Sequence, residues 1–165
     1  MQITTYINDL LYRYECVIIP GFGALLTQYH SARIDSDTHV LFPPSKTLSF
    51  NRQLQTNDGL LANHIASVEK CSYESALQKL RTYTKKLSLQ LTEGTTVSLS
   101  NIGDFYLNEE NSVQFTPSST QNFNTTSFGL SAVGIHKVSR QKETHQQKEI
   151  VPIPMNPGRR FKNGY

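Results

Sequence analysis

Apolar positions change their spacing several times along the chain, and each change marks an element. Ile3, Ile7, Leu10, Leu11 and Tyr14 recur at helical intervals, which predicts a helix over residues 4–14 capped by Thr4 or Thr5. Cys16, Val17, Ile18 and Ile19 then form a short run that reads as a buried strand. The turn residues Pro20, Gly21 and Gly23 stop it, and residues 24–29 read as a second strand. A polar connector at residues 30–38 leads to Val40, Leu41 and Phe42, the Pro43-Pro44 break, and an extended segment at residues 48–50.

Asn57, Asp58 and Gly59 open a second helix, predicted over residues 60–69 with Leu60, Leu61, Ile65, Ala66 and Val68 as its apolar stripe. Ser72 suits the N-cap of the longest helix, residues 73–91. Tyr73, Ala76, Leu77, Leu80, Tyr83, Leu87 and Leu91 share one face of it, with Leu80 at the centre of the expected core. Gly94 stops this helix. Residues 96–99, a turn at Ile102-Gly103, residues 104–107 and residues 112–116 predict a three-stranded antiparallel meander with a tight turn at residues 108–111. Periodicity ends near Ser131. Residues 135–165 are dominated by Gln, Lys, Glu, Ser and Thr, which predicts a disordered tail that folding does not require.

The chain also echoes itself. Residues 17–26 (VIIPGFGALL) resemble residues 97–106 (VSLSNIGDFY), each a strand, an apolar-plus-Gly turn and a strand. A further strand and a Pro-containing stretch ending in an aromatic follow each: Phe50 in one case, Phe123 or Phe128 in the other. A separation of about 80 residues is too long for a solenoid repeat, so two related units are the natural reading.

These residues carry a family resemblance. Residues 72–130 resemble the body of the bacterial HU/IHF proteins: a capped long helix, Leu91 to Gly94 with Val97 and Leu99, the Ile102-Gly103 turn before Phe105, and a closing Phe123 with Gly129-Leu130. In the first half, Pro20 to Gly23 looks like the family's Gly-Phe-Gly turn, and Pro44 through Phe50 looks like its strand re-entering the body. Residues 1–130 are closer still to the paired HU-like domains that begin some Bacteroidetes SPOR-domain proteins, through Tyr6, Ile7, Leu10 and Leu11, residues 16–23, residues 42–46, Phe50-Asn51 and residues 57–61. The resemblance implies an α+β fold of two HU/IHF-like units in tandem, helices packed on short antiparallel meanders, followed by the tail. Residues 1–57 would be the first unit, with a single helix, residues 58–134 the second, and residues 135–165 the basic tail. Because HU proteins dimerise to complete a core, two tethered units are expected to pair within one chain, asymmetrically.

HU and IHF grip DNA with two long basic arms, each carrying a proline wedge. Here the connection from Phe105 to Val113 is too short for an arm, and it carries Glu109 and Glu110. The stretch from residue 27 to residue 40 is longer, but it holds only Arg33, opposed by Asp35 and Asp37, and neither tip has a wedge proline. The fold is therefore expected to carry over and the DNA grip is not.

Charge supports that division. The net +3 separates into −2 over residues 1–130, nine Lys+Arg against eleven Asp+Glu, and +5 over residues 131–165, seven against two. The candidate phosphate contacts are Lys79, Arg81, Lys85 and Lys86 on the long helix and Arg159, Arg160 and Lys162 in the tail, which also suit a positive-inside flank of a membrane span. Other chemistry is thin. Gly21-Phe22-Gly23 precedes a strand, so it reads as a turn and not a phosphate loop. The five His show no ligand spacing, Ser45-Lys46 lacks the SxxK pattern, and His64 reads as structural. Cys16 and Cys71 read as reduced thiols, Cys16 as a buried small hydrophobe.

The sequence thus predicts no enzyme: no catalytic, metal or cofactor site and no small-molecule substrate. It predicts a binding module in the cytoplasm with degenerate DNA-binding arms, a protein-interaction or envelope-tethering adaptor whose partner is a protein or the chain itself, as an intramolecular pair or homodimer. Weak, sequence-independent DNA contact is the alternative, and a membrane enters only if a span follows the tail in a longer chain.

Overall fold

A computed structural model describes residues 2–119 and 121–135. Helix α1 (Gln2–Leu11) buries Tyr6, Ile7, Leu10 and Leu11 on one face. It begins and ends earlier than the apolar spacing suggests. Thr4 lies inside the helix and not at its cap, sharing a 3.2 Å hydrogen bond with the Tyr83 hydroxyl. Tyr14 lies beyond the last turn, exposed, where its amide and that of Arg13 both bond the Leu10 carbonyl.

The first half continues as β1 (Cys16–Ile19), β2 (Gly23–His30), β3 (Arg33–Asp35), β4 (Val40–Phe42) and β5 (Ser45–Asn51), with β1, β2 and β5 forming one antiparallel sheet in that order. The second half consists of α2 (Leu60–Glu69), α3 (Tyr73–Thr92), β6 (Val97–Leu99), β7 (Gly103–Leu107), β8 (Val113–Pro117), a 3-10 turn at Thr125–Ser127, and β9 (Val133–Gly134). Strands β6, β7 and β8 make the expected meander.

Several sequence expectations are corrected. The polar connector at residues 30–38 contains β3, which pairs with β4. Its turn is held by Asp35, whose Oδ1 accepts the amides of Asp37 (3.0 Å) and Thr38 (3.1 Å), and His39 closes it at φ 53°. Asp35 therefore anchors the turn, and those amides hold its carboxyl below the usual range. Periodicity ends at Ser131, yet β9 pairs with β4 through Leu41↔Val133 and Val40↔Gly134, and the Ile135 amide bonds the His39 carbonyl at 2.8 Å. Strand alternation turns Val17 and Ile19 inward and leaves Cys16 half-buried, its thiol pushed up first by burial and then by the charge of Asp58. On α2, Ala62 is buried and Val68 exposed; on α3, Thr84 joins the buried stripe and Tyr73 leaves it. The rest of the expected disordered tail, residues 136–165, lies outside the described residues.

One core runs through both halves. Four rings join them: Phe105 of β7 sits 4.7 Å from Phe115, 5.0 Å from Phe50 and 5.3 Å from Phe22. Polar ties cross the same boundary. Asn8 Nδ2 donates to the Ser100 carbonyl (3.0 Å), and the Thr84 hydroxyl donates to the Pro20 carbonyl (3.2 Å).

The sequence echo is a structural one. The Phe22 amide bonds the Ile19 carbonyl with Gly21 at φ 75°, and the Ile102 amide bonds the Leu99 carbonyl with Asn101 at φ 65°. Asn tolerates this left-handed position better than most residues, so the second turn works without its glycine. Register also resolves the third strand. Leu25 faces Phe50 and Phe105 faces Phe115, so the counterpart of Phe50 is Phe115 and neither Phe123 nor Phe128.

Leu80 is 0% exposed at the middle of α3, as its place on the stripe suggests. Leu80→Ala is expected to cost about 2–5 kcal/mol in urea unfolding, by lost transfer energy and the cavity left behind. A loss under about 1 kcal/mol would mean that the site collapses around the missing atoms.

Candidate binding arms and basic face

The resemblance to HU and IHF implies that strand extensions are the surface that meets a partner. Strands β2 and β5 pair from Ala24↔Asn51 out to His30↔Ser45, and the β3–β4 hairpin continues beyond them. The first half therefore has an arm. Its charged side chains, Arg33 and Lys46 against Asp35 and Asp37, cancel. The Arg33 guanidinium lies 5.1 Å from the centre of the Phe42 ring, in cation–π range. Pro43 and Pro44 sit at the joint between β4 and β5, away from the tip.

The chain also folds back over this arm. Asn122 is the latch: its Oδ1 accepts the Lys46 amide (2.9 Å) and its Nδ2 donates to the Pro44 carbonyl (3.1 Å). The Phe123 amide bonds the Lys46 carbonyl, and β9 then covers the free side of β4. Nothing in the sequence marks Asn122, one Asn in a polar stretch, as this residue.

The second half has no arm. Strands β7 and β8 end at Leu107↔Val113, and Asn108 closes the loop with its Oδ1 on the amides of Glu110 (3.1 Å) and Ser112 (2.8 Å). The loop presents Glu109 and Glu110 to solvent.

The basic helix face is divided. Lys79 pairs with Glu69 and is not free for a phosphate. Arg81 and Lys85 line a surface groove of about 460 Å3 with Pro20, Gly21 and Leu89, while Lys86 is exposed outside it. Among the described residues none of these three makes an ion pair. Arg159, Arg160 and Lys162 lie outside the described residues.

Two family models match this chain: CCDC81-like prokaryotic HU domain 1 over residues 1–58, and CCDC81-like prokaryotic HU domain 2 over residues 59–128. The chain belongs to the CCDC81-like prokaryotic HU family. No curated protein and no solved structure matches it. The two models carry no link to SPOR-domain proteins, and no helix among the described residues is long and apolar enough to cross a membrane.

Within this HU pair the remaining polar groups hold structure together. Glu69 joins three helices, accepting from Lys79 and from the Tyr6 hydroxyl (3.2 Å). The Lys79 bond holds the Glu69 carboxyl below its usual range and raises the Lys79 amine. His64 is half-buried with its ring edge-on to Tyr6 at 5.9 Å, and its Nε2 has no hydrogen-bond partner among the described residues. Gly21 and Gly94 take φ of 75° and 77° at the turns predicted for them. Ser45 and Lys46 belong to the β5 ladder. Among the described residues no three His, Cys, Asp or Glu side chains gather as metal ligands would.

Proposed function

We propose that this HU pair is a non-enzymatic, protein-binding adaptor in the cytoplasm whose single arm does not grip DNA. The charge-balanced arm of the first domain, latched by Asn122 and covered on β4 by β9, carries this reading. A duplex grip needs an excess of cations along the arm, since each phosphate contact gains by releasing counterions. Arg33 and Lys46 offset by Asp35 and Asp37 supply no such excess. Where the gene product continues into a membrane span, the same module would tether envelope components.

A second reading is weak, sequence-independent DNA association. It is favoured by Arg81, Lys85 and Lys86, unpaired among the described residues, together with Arg159, Arg160 and Lys162. Electrophoretic shifts with the full chain and with a chain ending at Ile135, at low salt and near 0.15 M, separate the two. The shortened chain is expected to leave duplex DNA unshifted near 0.15 M. Any binding by the full chain should fall steeply with salt, without bending between end labels. Tight duplex binding by the shortened chain would replace the adaptor reading with a nucleoid-type one.

A further inference from the structure

The arm ends in a small sheet of order β3-β4-β9, whose two edges are β3 and the two-residue β9. Paired residues in neighbouring strands share a face. Ile34↔Leu41 and Leu41↔Val133 therefore align three apolar side chains in one row across the sheet. All three are open to solvent: Ile34 at 59%, Leu41 at 36% and Val133 at 54%. A contiguous apolar row beside an unpaired strand edge is what proteins normally cover or blunt.

Strand β3 is Arg33-Ile34-Asp35. Edges blunted against pairing carry charges that repel an incoming copy, commonly lysines. This edge instead carries one cation and one anion, placed symmetrically about an apolar residue. Antiparallel pairing of two copies centred on Ile34 sets each Arg33 opposite the other copy's Asp35. It also brings the two Ile34 side chains together, so the two apolar rows join into one across six strands.

We propose that β3 is a self-association edge, through which two copies of this chain pair antiparallel and two-fold about Ile34. The interface is isologous, the same patch meeting itself, and so closes at two chains. It is distinct from the aromatic core that unites the two HU domains within one chain. Neither Arg33 nor Asp35 makes an ion pair among the described residues; the Arg33 guanidinium, now over the Phe42 ring, turns to the partner's Asp35 on pairing. The edge is short, which places the dimer among weak, concentration-dependent contacts.

Sedimentation velocity of the full chain, over a series rising to millimolar, is the test. The wild type is expected to shift from monomer to dimer with concentration. Arg33→Glu and Asp35→Lys should each weaken the dimer at least about tenfold, because like charges then face each other across the axis. An equimolar mixture of the two variants should regain wild-type association, the all-acidic edge of one meeting the all-basic edge of the other. Asp35→Lys also removes the turn's acceptor, so Ile34→Lys serves as a second variant that leaves the turn intact and should abolish pairing. A chain monomeric at every concentration, or a dimer that survives Arg33→Glu and Ile34→Lys, overturns the proposal. So does a mixture that fails to pair while both variants keep the wild-type pattern of amide resonances.

Discussion

Phe105→Ala is expected to remove about 3–5 kcal/mol of stability, enough to leave a domain of ordinary stability close to unfolding. The ring is 1% exposed and contacts Phe22 and Phe50 from the first domain and Phe115 from the second. Truncation would open a cavity that neither domain can close alone, because its walls belong to both. The manner of unfolding therefore matters as much as the midpoint. One cooperative transition, shifted to lower urea for circular dichroism and tyrosine fluorescence alike, is expected from a shared core. Two transitions, with only one moved by the substitution, would mean that the domains fold independently.

Gly103→Ala is the second large effect, and it tests geometry without deleting a side chain. A Cβ at Gly103 would stand 2.2 Å from the Thr116 carbonyl oxygen and 2.9 Å from the Phe115 ring, at φ 145°. The nearest obstacle is backbone within the β7–β8 ladder, which cannot retreat as a flexible side chain can. Overpacking and the disfavoured φ together should cost about 2–5 kcal/mol. Gly94→Ala is the matched control: φ is 77°, but nothing lies within 4 Å of the new atom. It should cost only the left-handed backbone penalty, about 1–2 kcal/mol. Equal losses at the two positions in parallel urea titrations would show that φ alone matters and that the close approach does not.

Those two glycines show how far the sequence could be read. Turn residues and apolar spacing located α2, α3, the meander and the stop at Gly94, because each follows from local chemistry. The repeat was visible through Gly23 and Gly103, but Asn101 concealed the match to Gly21, since two residue types can serve one left-handed position. Sequence spacing hides Phe115 as the counterpart of Phe50 because the arm lengthens the first unit, and only strand register shows the equivalence. Strands β3 and β9 were invisible for a different reason. They are two or three residues long, too short for an alternation to show, and exist by pairing with β4, which no local pattern encodes. The basic face was legible as composition, while its division was not. That Lys79 belongs to Glu69 depends on how α2 packs against α3, and the latch made by Asn122 depends on the chain returning to an arm built much earlier.

That return has a consequence during synthesis. The first domain leaves the ribosome with Phe22 and Phe50 packed on each other but lacking the Phe105 and Phe115 rings, and with β4 lacking the strand that covers it. At about 5–20 residues per second, Phe105 follows Phe22 by roughly 4–17 s. Residues 122–135, which latch the arm and complete its sheet, come later still. Throughout that interval the nascent first domain exposes an aromatic cluster and an open hairpin, both good substrates for a chaperone or for a neighbouring nascent copy on the same messenger. Its maturation is therefore timed by the far end of the described chain, and a pause in translation before residue 122 would prolong the exposure.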